Sequence, residues 1–117
     1  MQVSVVIPVW NGEAVLAECL TAVFTHASPH LHELICVENG SQDGSRQLIA
    51  SKFPDVKLLP QPTNLGFAGG VNVGLRAATG DLLVLLNQDC VVQAGWLDAL
   101  CHSIEQNPEL GIVGGQI

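Results

Sequence analysis

Positive charge is scarce in this sequence. Its 117 residues carry four basic side chains, Arg46, Lys52, Lys57 and Arg76, against eleven acidic ones, giving a formal net charge of −7. That balance argues against nucleic acid or an anionic membrane surface as the main partner. It also means that a phosphorylated ligand would have to be balanced by glycine-loop amides, a helix terminus or a divalent cation. Paired cysteine motifs are missing as well. Cys19, Cys36, Cys90 and Cys101 form no CxxC, and they fall in segments that read as helix or strand interiors. A disulfide frame or zinc site is therefore not expected, and the thiols read as small apolar packing residues. His26, His30, His32 and His102 lack a metal-binding spacing and read as solvated. The longest apolar runs, such as residues 82–86, fall far short of the ~20 residues a bilayer span requires. Nothing at the N-terminus resembles a signal peptide, so the expectation is a soluble, cytoplasmic protein. No internal repeat, low-complexity segment or flexible linker is visible.

What is present is a core. Apolar residues make up 48% of the chain and charged residues 13%, which excludes disorder. A chain of this length is one domain or part of one, able to bury roughly two-thirds of its unfolded surface. Residues 3–9 form a nearly continuous β-branched apolar run, as a central parallel strand covered on both faces requires. Pro8-Val9-Trp10-Asn11-Gly12 closes it, with Asn11 as the expected N-cap of a helix carrying Val15, Leu16, Cys19, Leu20, Val23 and Phe24. That helix should stop before Ser28-Pro29. A second strand at Leu34-Ile35-Cys36-Val37 leads into the polar loop Glu38-Asn39-Gly40-Ser41-Gln42-Asp43-Gly44-Ser45. In that loop Ser41 or Asp43 can cap a helix with Leu48, Ile49 and Phe53. A third strand is expected over residues 56–59, closed by Pro60 and Pro62. This alternation predicts an α/β fold: an open, mostly parallel sheet with helices on both faces, Rossmann-like in plan.

The second half holds the most informative stretch. Residues 66–78 read as a helix with Ala68, Val71, Leu75 and Ala78 on one face. Gly69, Gly70 and Gly74 lie inside it, each costing ~1 kcal/mol relative to alanine. Either the helix packs very close to the sheet or a ligand approaches its backbone, and the amides of Asn64 and Asn72 favour the ligand. A buried fourth strand, residues 82–86, then delivers Asn87-Gln88-Asp89. Open α/β sheets bind ligands at their carboxyl edge, and oxygen ligands there can hold Mg²⁺ or Mn²⁺ bridging phosphates. The plain alternative is that Asp89 caps a turn. Trp10 either stacks on a base or packs beneath its loop, and the Glu38 loop either meets a ligand or merely caps its helix. A further helix carries Trp96, Leu97, Leu100, Cys101 and Ile104, with Pro108 beyond its end. Residues 110–117 read as the start of another strand, so the chain is expected to be the front part of something longer.

Ser4 to Gly12, then Val37-Glu38-Asn39-Gly40-Ser41-Gln42-Asp43-Gly44-Ser45, then Asn64-Leu65-Gly66-Phe67-Ala68-Gly69-Gly70, then Gly80-Asp81 and Asn87-Gln88-Asp89, occur in the order found in family 2 glycosyltransferases of the GT-A fold. In its glycine-rich form the sequence resembles the rhamnosyltransferase-like branch. The resemblance covers essentially the whole chain, and it implies that residues 1–117 are the nucleotide-sugar-binding N-terminal part of a glycosyltransferase domain. Pro8, Val9, Trp10 and Asn11 would line the base pocket, with Glu38, Asn39 and Asp43 beside them. Asn64, Gly66, Gly70 and Asn72 would border the ribose and diphosphate. Asn87, Gln88 and Asp89 would be the DxD-like motif, with Asp89 and Asn87 toward the metal.

The implied donor is a UDP-, dTDP- or GDP-linked sugar, the cofactor Mg²⁺ or Mn²⁺, the acceptor a glycan or lipid-linked hydroxyl, and the outcome inversion. Cell-wall or polysaccharide biosynthesis is the implied setting, with peripheral membrane association of a full-length protein left open. Two substitutions depart from the family pattern: Glu38 stands where an aspartate is usual, and Asn87 replaces the first acid of the metal motif. The general base is expected beyond Ile117. A non-catalytic nucleotide-sugar-binding or assembly module, with Asn87 marking a decayed metal site, is the rival. A sugar-phosphate nucleotidyltransferase would want a basic glycine-rich loop after the first strand, and residues 10–16 contain no lysine or arginine. The oligomeric state, the sugar, the nucleotide and the acceptor are not legible.

Overall fold

The computed structural model describes residues 1–107 and 109. Four parallel strands, β1 (Val3–Val9), β2 (Leu31–Glu38), β3 (Lys57–Pro60) and β4 (Leu82–Leu85), alternate with four helices. These are α1 (Leu16–Thr25), α2 (Ser45–Lys52), α3 (Gly66–Ala77) and α4 (Trp96–Gln106). The sheet order is β3-β2-β1-β4, and every neighbouring pair is parallel. The first three strands thus march in one direction from β1, and the fourth returns to its other side. The expected α/β architecture is present. The strand expected over residues 110–117, and Pro108, lie outside the described residues.

Alternation along the strands assigns the two faces. Val3, Val5, Ile7 and Val9 of β1 point to one side, with Leu34 and Cys36 of β2, and pack against α1, α2 and α4 through Leu16, Leu20, Val23, Ile49 and Leu97. Val6, Ile35 and Val37 point to the other, where α3 covers them. Helices therefore lie on both faces, and β1, covered on both, is the continuous apolar run.

Several local expectations change in the folded chain. Asn11 does not cap α1, which starts at Leu16 after Val15 and has no side-chain cap. Residues 12–15 instead form a turn in which Gly12 C=O accepts from Val15 and Leu16 N–H at 3.0 and 2.9 Å. The β3 strand lies one residue later than expected, leaving Val56 as a buried anchor before it.

On α3 the inward face is Gly70, Val71 and Gly74, and Ala68 is exposed. A methyl group at Gly74 would run into the Val6 and Val37 side chains, and one at Gly70 would press on the Asn39 amide. These two glycines let a helix lie close on the sheet, so packing accounts for them where a ligand was favoured.

The fourth strand was expected to be buried, yet Leu83 and Leu85 are 44% and 49% exposed. Among the described residues β4 is an edge of the sheet. Leu83 and Leu85 pair with Ser4 and Val6 and so share the α3 face, but α3 lies over β1 and β2.

Candidate functional site

Open parallel sheets bind ligands outside the carboxyl ends of their strands, in the crevice at the point where the strand order reverses. Here the reversal falls between β1 and β4. The loops after those two strands, residues 10–15 and 86–95, border it. Residues 39–44 after β2 and 61–65 after β3 complete the rim. Trp10, Leu65, Phe67 and Val91 are exposed apolar side chains in or next to these loops.

The polar residues of the rim fall into two groups. Those after β1 and β2 are engaged with one another. Asn11 N–H donates to Ser41 Oγ at 2.9 Å, Gln42 N–H to Asn11 Oδ1 at 2.9 Å, and Gly12 N–H to Ser45 Oγ at 2.9 Å. Glu13 N–H donates to Asp43 Oδ2 at 3.1 Å, and Gly44 N–H to Glu13 Oε2 at 3.0 Å. Asp43 Oδ1 accepts from Ser45 N–H at 3.0 Å and from Ser45 Oγ–H at 2.6 Å, but Gly44 stands at the N-cap of α2 and no side chain caps it, so neither Ser41 nor Asp43 is the expected cap. The Ser45 hydroxyl, then the Ser45 and Glu13 amides, hold the Asp43 carboxyl below its ordinary value of 3.8. Asn11 adopts φ 46°, a conformation asparagine tolerates better than most residues.

Asn39 is 3% exposed, and its amide is fully engaged. Oδ1 accepts from Leu65 N–H and Nδ2 donates to Gly66 C=O, both at 2.9 Å, while its own N–H donates to Val9 C=O at 2.8 Å. It ties the ends of β1 and β2 to the start of α3. Asn64 Oδ1 accepts from Gly66 N–H at 2.7 Å. Gly66 is exposed at φ 77°, with open space around it. Glu38 is also 3% exposed. Its Oε1 accepts from Ser41 N–H at 2.8 Å, and among the described residues Oε2 has no hydrogen-bond partner.

The structure places the remaining candidates as follows. The Val9 side chain is in the core, and Pro8 is half-buried while Trp10 is 51% exposed. Asn72 lies exposed on α3, about 9 Å along the axis from Gly66 at the α-helical rise. Gly80-Asp81 sits at the opposite end of the sheet, where Asp81 exchanges hydrogen bonds with Gln2 at the entrance to β4. Its role is to start the strand.

Asn87 and Asp89 are exposed, and among the described residues no hydrogen bond engages either side chain. The backbone of Asn87 is held from below: its C=O accepts from Cys90 N–H at 3.1 Å and from the Cys19 thiol at 3.7 Å. Burial, with Cys90 and Asp89 nearby, pushes the Cys19 thiol up to about 12, so it stays a neutral donor. Between Asn87 and Asp89, Gln88 turns the other way, its amide bonded to both backbone groups of Trp10.

Hard cations such as Mg²⁺ and Mn²⁺ bind through one or two carboxylates, with phosphate oxygens and waters supplying the rest. Among the described residues no group of three or more His, Cys, Asp or Glu side chains could hold a metal alone. The oxygen set of Asp89 and Asn87 fits a cation that arrives with a diphosphate. Sequence reasoning missed Gly12, Glu13, Ser41 and Ser45 as builders of the rim. Ser45, three residues before the apolar pair Leu48-Ile49, is a weak signal, and the partner loop of each is known only after folding.

Residues 4–117 match the model of Glycosyl transferase family 2. The chain is 29% identical over 119 residues to glycosyltransferase AglE of Haloferax volcanii, covering 98% of this chain and 39% of that protein. It is 30% identical over 92 residues to the N-acetylglucosaminyl-diphospho-decaprenol L-rhamnosyltransferase of Mycobacterium tuberculosis, covering 69% of this chain and 30% of that one. Its fold is similar to that of S. aureus TarS residues 1–349, solved in complex with UDP-GlcNAc, with a TM-score of 0.82 at 21% identity over 99% of this chain and 37% of the other. The chain therefore spans about two-fifths of the length of such relatives. With the family's model matched over nearly all of its length and the parallel sheet of such proteins in place, the chain belongs to glycosyl transferase family 2.

Proposed function

We propose that this chain is the donor-binding part of a glycosyltransferase that moves a sugar from a nucleotide diphosphate to an acceptor hydroxyl. One observation carries the reading: at the β1/β4 crevice Asn87 and Asp89 present oxygens that the described fold leaves unengaged, whereas the neighbouring loops satisfy themselves. Asp89, with Asn87 beside it, would hold Mg²⁺ or Mn²⁺. Such a cation supplies charge stabilisation to a departing diphosphate.

The protein's own residues divide the remaining work. Glu38, buried with Oε2 free, accepts a hydrogen bond from the base. Trp10, half exposed, offers a stacking face. Asn64 and Asn39 fix the Leu65–Gly66 turn so that its backbone borders the ribose or diphosphate. In the full enzyme a carboxylate outside this chain takes the acceptor proton as the hydroxyl attacks the anomeric carbon and the bond to the nucleotide diphosphate breaks, and inversion follows from that single displacement. No helix among the described residues is long and apolar enough to cross a membrane. A rhamnosyl or N-acetylglucosaminyl donor and a polysaccharide or lipid-linked acceptor are the classes the relatives' names support.

A second reading, a nucleotide-sugar-binding module without turnover, draws on Asn87, which gives the cation site one carboxylate fewer. Calorimetric titration with UDP, dTDP and GDP, each with and without Mn²⁺, tests the donor site. Binding of one nucleotide that depends on Mn²⁺ and is lost in Asp89→Ala supports it, and metal-independent binding unaffected by that substitution refutes it. Turnover by the longer protein then separates enzyme from module.

A further inference from the structure

Gln88 occupies the middle of the triplet, yet its side chain does not share the triplet's exposure. Its Oε1 accepts from Trp10 N–H at 3.1 Å and its Nε2 donates to Trp10 C=O at 3.0 Å. A side-chain amide so placed reproduces what a neighbouring strand would offer, one acceptor and one donor to a single residue.

The sheet explains why it is needed. Successive residues of a strand turn their backbone groups to alternate neighbours. Val9 C=O faces the β2 side, where it accepts from Asn39 N–H, and Val6 C=O faces the β4 side, where it accepts from Leu86 N–H. Val6, Pro8 and Trp10 therefore all face β4. Pro8 has no N–H to give, and the β1·β4 register ends at Val6–Leu85, whereas β1·β2 pairing runs on to Val9–Glu38. Beyond Leu86 the two strands part and the crevice begins. Gln88 re-joins them across the gap at Trp10, two residues after the proline. Room for the amide is provided by Gly12: its backbone is in an ordinary conformation, but a methyl group there would run into the Gln88 side chain.

We infer that Gln88 is a positioning residue: its amide clamp on the Trp10 backbone makes the Trp10 turn and the Asn87–Asp89 triplet one unit, so that a divalent cation and nucleotide diphosphate held at the triplet are felt at Trp10. Gln88 then makes no donor contact of its own. It sets the distance between the group that faces the base and the group that faces the phosphates. The coupling half of this inference rests on the functional reading above, and the clamp does not.

Amide exchange by NMR on the ¹⁵N-labelled 117-residue chain tests both halves. The variants are Gln88→Met, which keeps length but removes both polar atoms, and Gly12→Ala, which leaves the triplet untouched but fills the space of the amide. Without ligand, each variant should speed exchange at Trp10 N–H by at least about tenfold, a loss on the scale of one well-formed hydrogen bond. Asn39 N–H, bonded to Val9 on the other side of β1, should stay protected and serve as the fold control. Unchanged Trp10 exchange in Gln88→Met, or parallel loss at Trp10 and Asn39 in both variants, overturns the clamp.

Titration with Mg²⁺ and UDP should shift the Trp10 amide resonance in the parent. In Gln88→Met that shift should largely vanish and the apparent Kd should weaken by about three- to tenfold, the range that one or two net hydrogen bonds span. An undiminished Trp10 shift in Gln88→Met overturns the coupling. A parent that binds no Mg²⁺–UDP overturns the coupling together with the functional reading, while the ligand-free measurement still decides the clamp.

Discussion

The two flanks of β1 are built from the same kinds of residue and come out differently. On the β2 flank, five hydrogen bonds cross between the loops after β1 and β2, joining Asn11, Gly12 and Glu13 to Ser41, Gln42, Asp43, Gly44 and Ser45. On the β4 flank only Gln88 crosses among the described residues, and Asn87 and Asp89 are left exposed. An asparagine and a carboxylate two residues apart, Asn11 with Glu13 or Asn87 with Asp89, thus mean one thing where a parallel neighbour brings a second loop alongside and another where the sheet reverses. Adjacent loops can complete each other's backbone hydrogen bonds. At the reversal Gln88 alone among the described residues reaches the neighbouring loop, and the side-chain oxygens of Asn87 and Asp89 stay unengaged.

The sharpest break of the comparison is Asp89→Ala. It should weaken Mn²⁺-dependent nucleotide binding by more than about tenfold, ~1.4 kcal/mol or more, and leave the urea midpoint nearly unchanged, as expected for an exposed, unbonded side chain. Calorimetry and chemical denaturation on the same preparation check both halves.

On the other flank the pattern should invert. Ser45 is fully buried, accepts from Gly12 N–H and donates to Asp43, so Ser45→Ala leaves a buried donor unpaired and should cost about 1–3 kcal/mol of stability. Nucleotide affinity should fall less than in Asp89→Ala. If Ser45→Ala abolishes binding while the fold holds, the two flanks are not separable.

A smaller effect is expected at Asn11. Asn11→Ala forces a β-carbon residue of no special tolerance into φ 46° and removes the acceptor for Gln42 N–H, for a loss of about 1–2 kcal/mol. Asn11→Gly relieves the conformational part. Thermal melts of the pair should therefore place glycine above alanine, and the reverse order would mean that the side-chain bond outweighs the backbone.

The mildest signature is in pH. Asp43 is held below its ordinary value chiefly by the Ser45 hydroxyl. Glu33 is also held low: burial alone would raise it, but hydrogen bonds from Ser4 and Thr79 outweigh that. A lowered folded-state pKa gives stability that is fully present above the unfolded values, 3.8 and 4.5, and lost as the pH falls through the folded ones. Acid titration of stability should flatten in that window for Asp43→Asn and for Glu33→Gln. No flattening in either variant would assign acid unfolding to other carboxylates.

Much of the frame was legible because it depends on local pattern. The unbroken β-branched run at Val3–Val9 reads as a central strand, and the helical spacing of Leu16, Cys19, Leu20 and Val23 reads as one buried face. The triplet's place at the end of the fourth strand was legible too, with a turn cap at Asp89 as the alternative reading. The rest was not. Asn11 reads as a helix cap, and only the loop after β2, thirty residues on, claims its side chain. The glycines of α3 read equally as ligand contacts or close packing until Val6 and Val37 are seen against Gly74. Leu83 and Leu85 read as buried because periodicity cannot tell an edge from a centre.

By itself the sequence determined the alternation of strands and helices, the parallel sheet and the polar residues at its carboxyl edge, because hydrophobic periodicity and turn chemistry act over a few residues. Only the tertiary structure decided which of those polar residues are free. That depends on which loops the strand order β3-β2-β1-β4 sets side by side, and a hydrogen bond from one loop's backbone to a distant loop's side chain leaves no mark on either loop's own sequence.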